Sequence, residues 1–210
     1  MEVCSPRRKG SFYPSIQEID MKIPALLCAA VFVWEHAADA QELRPSPANR
    51  FTLEVEKTGL LRGKTNVFQF GKYRGTLDYN NQNPELSKVQ FEIESKSIVC
   101  LDTWLSDKDK VKIIRTALDD MLAADKYPTI SFVSNRVAVK TPTRFEVTGT
   151  LSIRGVVQSA TVSVTKSANT YDGTGVVDMR DYGLKPPTSA FGAVGTKEVM
   201  TVKFHLAAGR

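Results

Sequence analysis

Beyond Ala40 the sequence carries one histidine, His205, and one cysteine, Cys100. A serine-type triad would need that histidine as its base, and a structural zinc site would need four ligands drawn largely from such residues. Far apart in sequence, the two supply neither. His205 stands in KFHLAAGR beside Lys203, out of phase with Met200, Val202, Phe204 and Leu206, which places it on the wet face of a strand. Cys100 has no partner for an internal disulfide. It follows the alternating run KVQFEIESKSIV, so a partly buried thiol near a strand end is expected. What remains for proton chemistry is Asp178 or Asp181 beside Arg180. A carboxylate there could serve as general acid or base if its pKa were lifted toward neutrality, whereas an ordinary value would leave a rim ion pair. No catalytic residue, metal ligand or cofactor is assigned.

The dominant pattern is apolar alternation. In LSIRGVVQSATVSV, Leu151 and Ile153 and then Ala160, Val162 and Val164 alternate with polar residues, and Gly155 lies near the turn. This is the period of two half-buried strands. The same alternation recurs in FTLEV, NVFQF, YRGTLDY, KVQFEIESKSI, TISFVSNRVAV, RFEVTGTLSIR, GTGVVDMR and EVMTVKFHL. Short turns between these runs argue for an antiparallel meander. An all-β fold follows, an eight-stranded antiparallel barrel, which closure frees of exposed edges. Its inner face would hold Phe68, Phe70, Phe91, Phe132, Phe145 and Phe204, with Ile93, Leu151, Ile153, Val162 and Val202 between them. Eight strands enclose either a filled core or room for one small ligand, and the sequence leaves both open.

One segment departs from this rhythm. SDKDKVKIIRTALDDMLAADKYP sets Val111, Ile114, Leu118, Met121 and Leu122 at helical spacing. Ser106 and Asp109 form a candidate capping box, and Pro128 closes the run. The spacing predicts an amphipathic helix of about four turns that caps or plugs one end of the barrel.

The chain has 210 residues and a net charge of +5. Its Lys and Arg residues are scattered rather than gathered on one face, which argues against a nucleic-acid partner. MKIPALLCAAVFVWEHAADAQ, from Met21, reads as a secretory signal: Lys22, an apolar run from Ile23 to Trp34, then Ala38-Asp39-Ala40 as cleavage site. The run is too short to span a bilayer, which takes roughly 20 residues. Residues 1–20 are expected to be an over-extended start and 21–40 the cleaved signal. Residues 41–50 would be a polar lead-in and 51–210 the barrel, released to the periplasm or secreted. An outer-membrane barrel would need apolar residues outside and a polar lumen, the opposite of what the charged helix and the scattered aromatic residues suggest.

Four motifs in series, FGKYRGTLDYNNQNPELSKVQFEIESKSI, DKYPTISFVSNRV, VTGTLSIRGVVQSATVSV and MRDYGLKPPTSAFGAVGTKEVMTVKF, resemble the YceI-like family of lipocalin-like, polyisoprenoid-binding periplasmic proteins. The resemblance runs from about Phe51 to Ala207. It implies an extended lipocalin-like barrel whose apolar tunnel takes up an isoprenoid or other long-chain lipid, without chemistry. The tunnel candidates are the inward residues named above together with Leu118, Met121 and Leu122. A homodimer is compatible with the sequence, and the mature protein is expected not to span the membrane. The chain departs from the family pattern in RGKTNVF, where many relatives carry histidines and this one has Lys64, Thr65 and Asn66. It departs again in the helix, which is longer and less aromatic. Within the motifs, Gly149 and Gly155 are expected at turns or a bulge. RDYGLKPP reads as a strand leaving the sheet at Gly183 for a proline-held rim.

Overall fold

The computed structural model describes residues 40–207. Apart from Ala40, the start expected at 1–20 and the signal expected at 21–40 lie outside the described residues. The chain forms β1 (Gln41–Leu43), β2 (Arg50–Gly59), β3 (Thr65–Phe70), β4 (Tyr73–Asp78), β5 (Lys88–Glu94) and β6 (Ile98–Cys100), then α1 (Asp107–Thr116). There follow β7 (Thr129–Thr141), β8 (Arg144–Ile153), β9 (Val156–Ser167), β10 (Thr170–Asp178) and β11 (Val194–Ala207). All eleven strands belong to one strongly curled antiparallel sheet, in the order β1-β4-β5-β7-β8-β9-β10-β11-β2-β3-β6.

Eleven strands stand where eight were expected, for physical reasons visible in the pairing. β3 and β4 are one run of chain bent at Gly71-Lys72, and β5 and β6 are one run broken by a 3-10 turn at Ser95–Ser97. β3 pairs with β6 and β4 with β5. Across the bend Gly71 N donates to Ser97 O at 3.1 Å and Glu94 N to Lys72 O at 3.0 Å, so the two limbs of the sheet are tied together there. The remaining strand is β1. It lies in the segment read as lead-in, where Gln41 pairs with Leu77 and Leu43 is buried.

Alternation decides which side chains are covered. On β9, Thr161, Ser163 and Thr165 are exposed while Ala160, Val162 and Val164 turn inward. The hairpin from β8 to β9 closes through Arg154 and Gly155, both at positive φ (52° and 77°), as a two-residue primed turn requires. Gly149 is not at a turn. It sits in mid-strand, opposite a register shift between Ser134 and Arg136 on β7.

The helix is shorter than its periodicity suggested. Ser106 Oγ accepts from Asp109 N at 3.2 Å, and α1 gives way after Thr116 to a π-helical turn, Ala117–Met121. Leu122 N bonds Ala117 O at 2.9 Å across that turn. Ile113, Ile114, Ala117, Leu118, Met121 and Leu122 pack against the core. Val111 does not: it is 68% exposed, because two residues separate it from Ile113 and put it on the opposite side of the helix. After β10, Met179–Tyr182 forms a 3-10 turn rather than a departing strand. Gly183 (φ 66°) ends it, and Met179, Tyr182 and Leu184 are driven into the core before the extended stretch at 185–188 begins.

Candidate ligand cavity

Inside the curled sheet lies a cavity of about 770 Å³, toward the upper end of the ~300–1,000 Å³ typical of ligand pockets. The interior is therefore not filled by side chains. Phe68, Phe70, Phe91, Ile93, Phe132 and Phe145 line it, as do Leu151, Ile153, Val162, Val202 and Phe204. From the helix come Met121 and Leu122; Leu118 packs beside the cavity without lining it. Sequence reasoning overlooked Leu43, Phe51, Leu53 and Val55, which also face the space.

A phenylalanine-rich interior stays open because several rings lie flat along the wall. A Cβ on Gly173 would fall 1.9 Å from Phe204 Cζ, one on Gly75 2.6 Å from Phe91 Cδ2, and one on Gly149 2.6 Å from Phe132 Cζ. Gly173 is the register partner of Phe204 and Gly75 of Phe91. Each ring thus occupies the place of a missing side chain on the neighbouring strand instead of standing into the lumen. Phe51 ties the wall together, with ring centroids 5.2 Å from Phe91 and 6.2 Å from both Phe70 and Phe204.

The cavity has a polar end. Lys57, in phase with Phe51, Leu53 and Val55, lines it and donates from Nζ to Thr196 Oγ1 at 3.3 Å. Burial pushes its pKa down, against the opposing pull of Asp102 and Cys100. Among the described residues no carboxylate stands within ion-pair reach of it. Asp102 is 4% exposed and already engaged. Its Oδ1 accepts from Val67 N at 2.9 Å, and its Oδ2 accepts from Asn66 Nδ2 and, at 3.3 Å, from Cys100 Sγ. Asn66 is 2% exposed. Trp104, Asp109 and Lys112 approach the same space from the helix side. At the opposite end Tyr79 stands edge-on to Phe145 and Tyr171, each at 6.3 Å. Along β11 the wall runs from Thr196, partner of Lys57, to Leu206, partner of Tyr171. At ~3.4 Å per residue and a tilt of ~40°, that is about 25 Å of depth.

The other reactive side chains are engaged elsewhere. Arg180 holds Asp178 through Nε at 3.1 Å and Nη2 at 2.7 Å, and reaches Glu198 at 3.0 Å. Those bonds to Arg180 keep the Asp178 carboxyl below the usual range, the wrong direction for a general acid at neutral pH. His205, on the outer face of β11, meets its cross-strand partner Asp172 at 2.6 Å. Cys100 is a free, partly covered thiol at the end of β6, and burial pushes its pKa up. Among the described residues there is no cluster of His, Cys, Asp and Glu able to hold a metal, and no helix long and apolar enough to cross a membrane.

An antiparallel sheet strongly curled around a large, mainly apolar cavity defines a half-barrel architecture. The chain belongs to the YceI-like family: the YceI-like domain matches residues 46–208. A UPF0312 protein of Pseudomonas savastanoi pv. phaseolicola is 27% identical over 128 residues, 56% of this chain and 63% of the relative. The alignment thus spans less than two thirds of that protein. A UPF0312 protein of Azotobacter vinelandii is 31% identical over 94 residues, 45% of each chain. Among solved structures, Burkholderia cenocepacia BcnA superposes with a TM-score of 0.60 at 21% identity, covering 77% of this chain and 96% of that one. The Campylobacter jejuni YceI protein gives 0.53 at 19% identity, over 68% and 84%. At those identities the likeness concerns the fold.

Proposed function

We propose that this protein binds and carries a long-chain amphiphile, of isoprenoid type, after export to the periplasm. The tail occupies the apolar cavity and the polar head lies near Lys57 and Thr196, and the protein performs no reaction on it. The observation that carries this reading is the 770 Å³ apolar space, which a filled interaction module would not need. Each CH₂ withdrawn from water contributes about 0.8 kcal/mol. Ten such carbons supply roughly 8 kcal/mol, at best micromolar affinity once ordering costs are met. The outward faces of the strands carry mainly polar residues, with Val133, Val139, Val157, Val176 and Val199 exposed among them, and the lumen is mainly apolar, the inverse of what a transmembrane barrel requires.

An environment-sensitive apolar dye tests the proposal. The dye is expected to brighten on entering the cavity and to be displaced by isoprenoid alcohols, more strongly as the chain lengthens from two units to eight. A dye that does not brighten, or displacement independent of chain length, would refute tail-directed binding.

A further inference from the structure

Two segments border the cavity on the side of Lys57. Residues 57–67 and 182–197 carry Lys57, Arg62, Lys64, Lys185 and Lys197 and contain no acidic residue. They are neighbours in space: Gly59 pairs with Val194, and Leu60 N donates to Ala193 O at 3.0 Å. Leu61, Pro187, Thr188, Ser189 and Val194 from these segments line the cavity. Beyond them two large apolar side chains face solvent, Leu60 at 80% exposure and Phe191 without cover. The other phenylalanines among the described residues are buried or packed against the core.

Phe191 is held out by its backbone. Ala190 and Phe191 both take positive φ (49° and 55°), a region that residues with a Cβ rarely enter and that persists only where the surroundings fix it. Here the turn is pinned by Gly192 N to Ser189 O at 3.1 Å, Ala193 N to Ala190 O at 3.0 Å, and a bridge between Ser189 and Val194. Arg62, Lys64 and Lys185 are exposed and make no ion pair among the described residues; Lys64 lies over the Trp104 ring at 5.7 Å. On the helix across the cavity, Lys108, Lys110 and Lys112 offset Asp107 and Asp109.

We infer that this rim docks on an anionic lipid surface, with Leu60 and Phe191 entering the interface and Arg62, Lys64 and Lys185 facing the headgroups. Apolar tips among cations suit that boundary, where basic residues meet negative charge and apolar ones leave water. Because the rim borders the cavity, docking would bring its opening to the bilayer, and a lipid could pass between the two without crossing water. The inference rests on the carrier reading for its purpose, but its test does not.

Purified protein is sedimented with vesicles of phosphatidylglycerol and phosphatidylethanolamine, and separately with phosphatidylcholine vesicles. Binding to the anionic vesicles is expected, weakening as salt rises, with little to phosphatidylcholine. Leu60→Ser with Phe191→Ser should weaken it at least tenfold. Each of Arg62→Gln, Lys64→Gln and Lys185→Gln should weaken it about fivefold, the equivalent of ~1 kcal/mol per surface cation. Phe191→Trp should show blue-shifted emission with anionic vesicles only. Dye uptake into the cavity, measured on the same variants, should stay at the wild-type level; its loss in wild type would overturn the carrier reading alone. Wild type that stays in the supernatant, or serine variants that bind as wild type does, would overturn the docking rim. So would a dimer abolished by the serine variants in gel filtration, which would assign the tips to a second copy of this chain.

Discussion

Lys57 is a half-covered cation in an otherwise apolar wall, and its position makes opposite demands on fold and ligand. Its pKa is depressed by burial, so the folded state holds that proton less firmly than the unfolded chain does. Its protonated form therefore costs stability at neutral pH, and the cost fades as pH rises from its lowered folded value to the ordinary lysine range. Lys57→Met is predicted to melt no lower than wild type at pH 7, with the difference between the two narrowing toward pH 10 in thermal scans. The same variant should bind amphiphiles with anionic or hydroxyl heads ten- to hundredfold more weakly. That is the loss of one hydrogen bond from a charged donor, about 1.5–3 kcal/mol, and headless hydrocarbons should be unaffected. Unchanged discrimination between the two ligand types would remove Lys57 from the site. The alternation of FTLEVEK and NVFQF already set Lys57 and Asn66 in phase with inward residues. A polar residue in an apolar phase was the readable sign of this cluster. Its partner Asp102 was not readable, because it lies past the end of β6 and only the fold brings it to Asn66.

At the scale of elements, strands were legible wherever one face is wet and the other dry, because a period of two survives any curvature of the sheet. One of their breaks was not. NVFQF and YRGTLDY already read apart at Gly71-Lys72, where the inward phase passes from Phe70 to Tyr73, whereas KVQFEIESKSI reads as one strand although the turn at Ser95–Ser97 divides it, with Ile93 buried before the turn and Ile98 after it. The helix shows the converse: its start was marked by Ser106, while the π-turn at Ala117–Met121 re-phases the residues that follow Thr116, and Val111 lies on the opposite side of α1 from Ile113. Glycines opposite phenylalanines were also invisible, since register alone creates those pairs. They carry the element-level prediction. Gly173→Ala leaves no room for the Phe204 ring on the wall and should force it into the lumen. A cost of about 1–3 kcal/mol is expected from the overpacking, read as a lower melting temperature, together with reduced dye uptake. Phe204→Leu added to Gly173→Ala should restore both. A Gly173→Ala protein with wild-type stability and uptake would contradict the account of how the cavity is kept open.

At the scale of the molecule, the curled sheet, the apolar interior and the helix α1 follow from pattern, and the size of the space within does not. Six inward phenylalanines are compatible with a packed core or a pocket; only the orientation of the rings, set across strands, decides between them. Native mass spectrometry of the protein purified from cells without detergent tests the central claim most directly. The account predicts a population heavier than the bare chain by the mass of one long-chain amphiphile. That mass should be released on mild activation and recovered as the same species by organic extraction. A single unliganded mass, with nothing extractable and none acquired on incubation with isoprenoid alcohols, would contradict it.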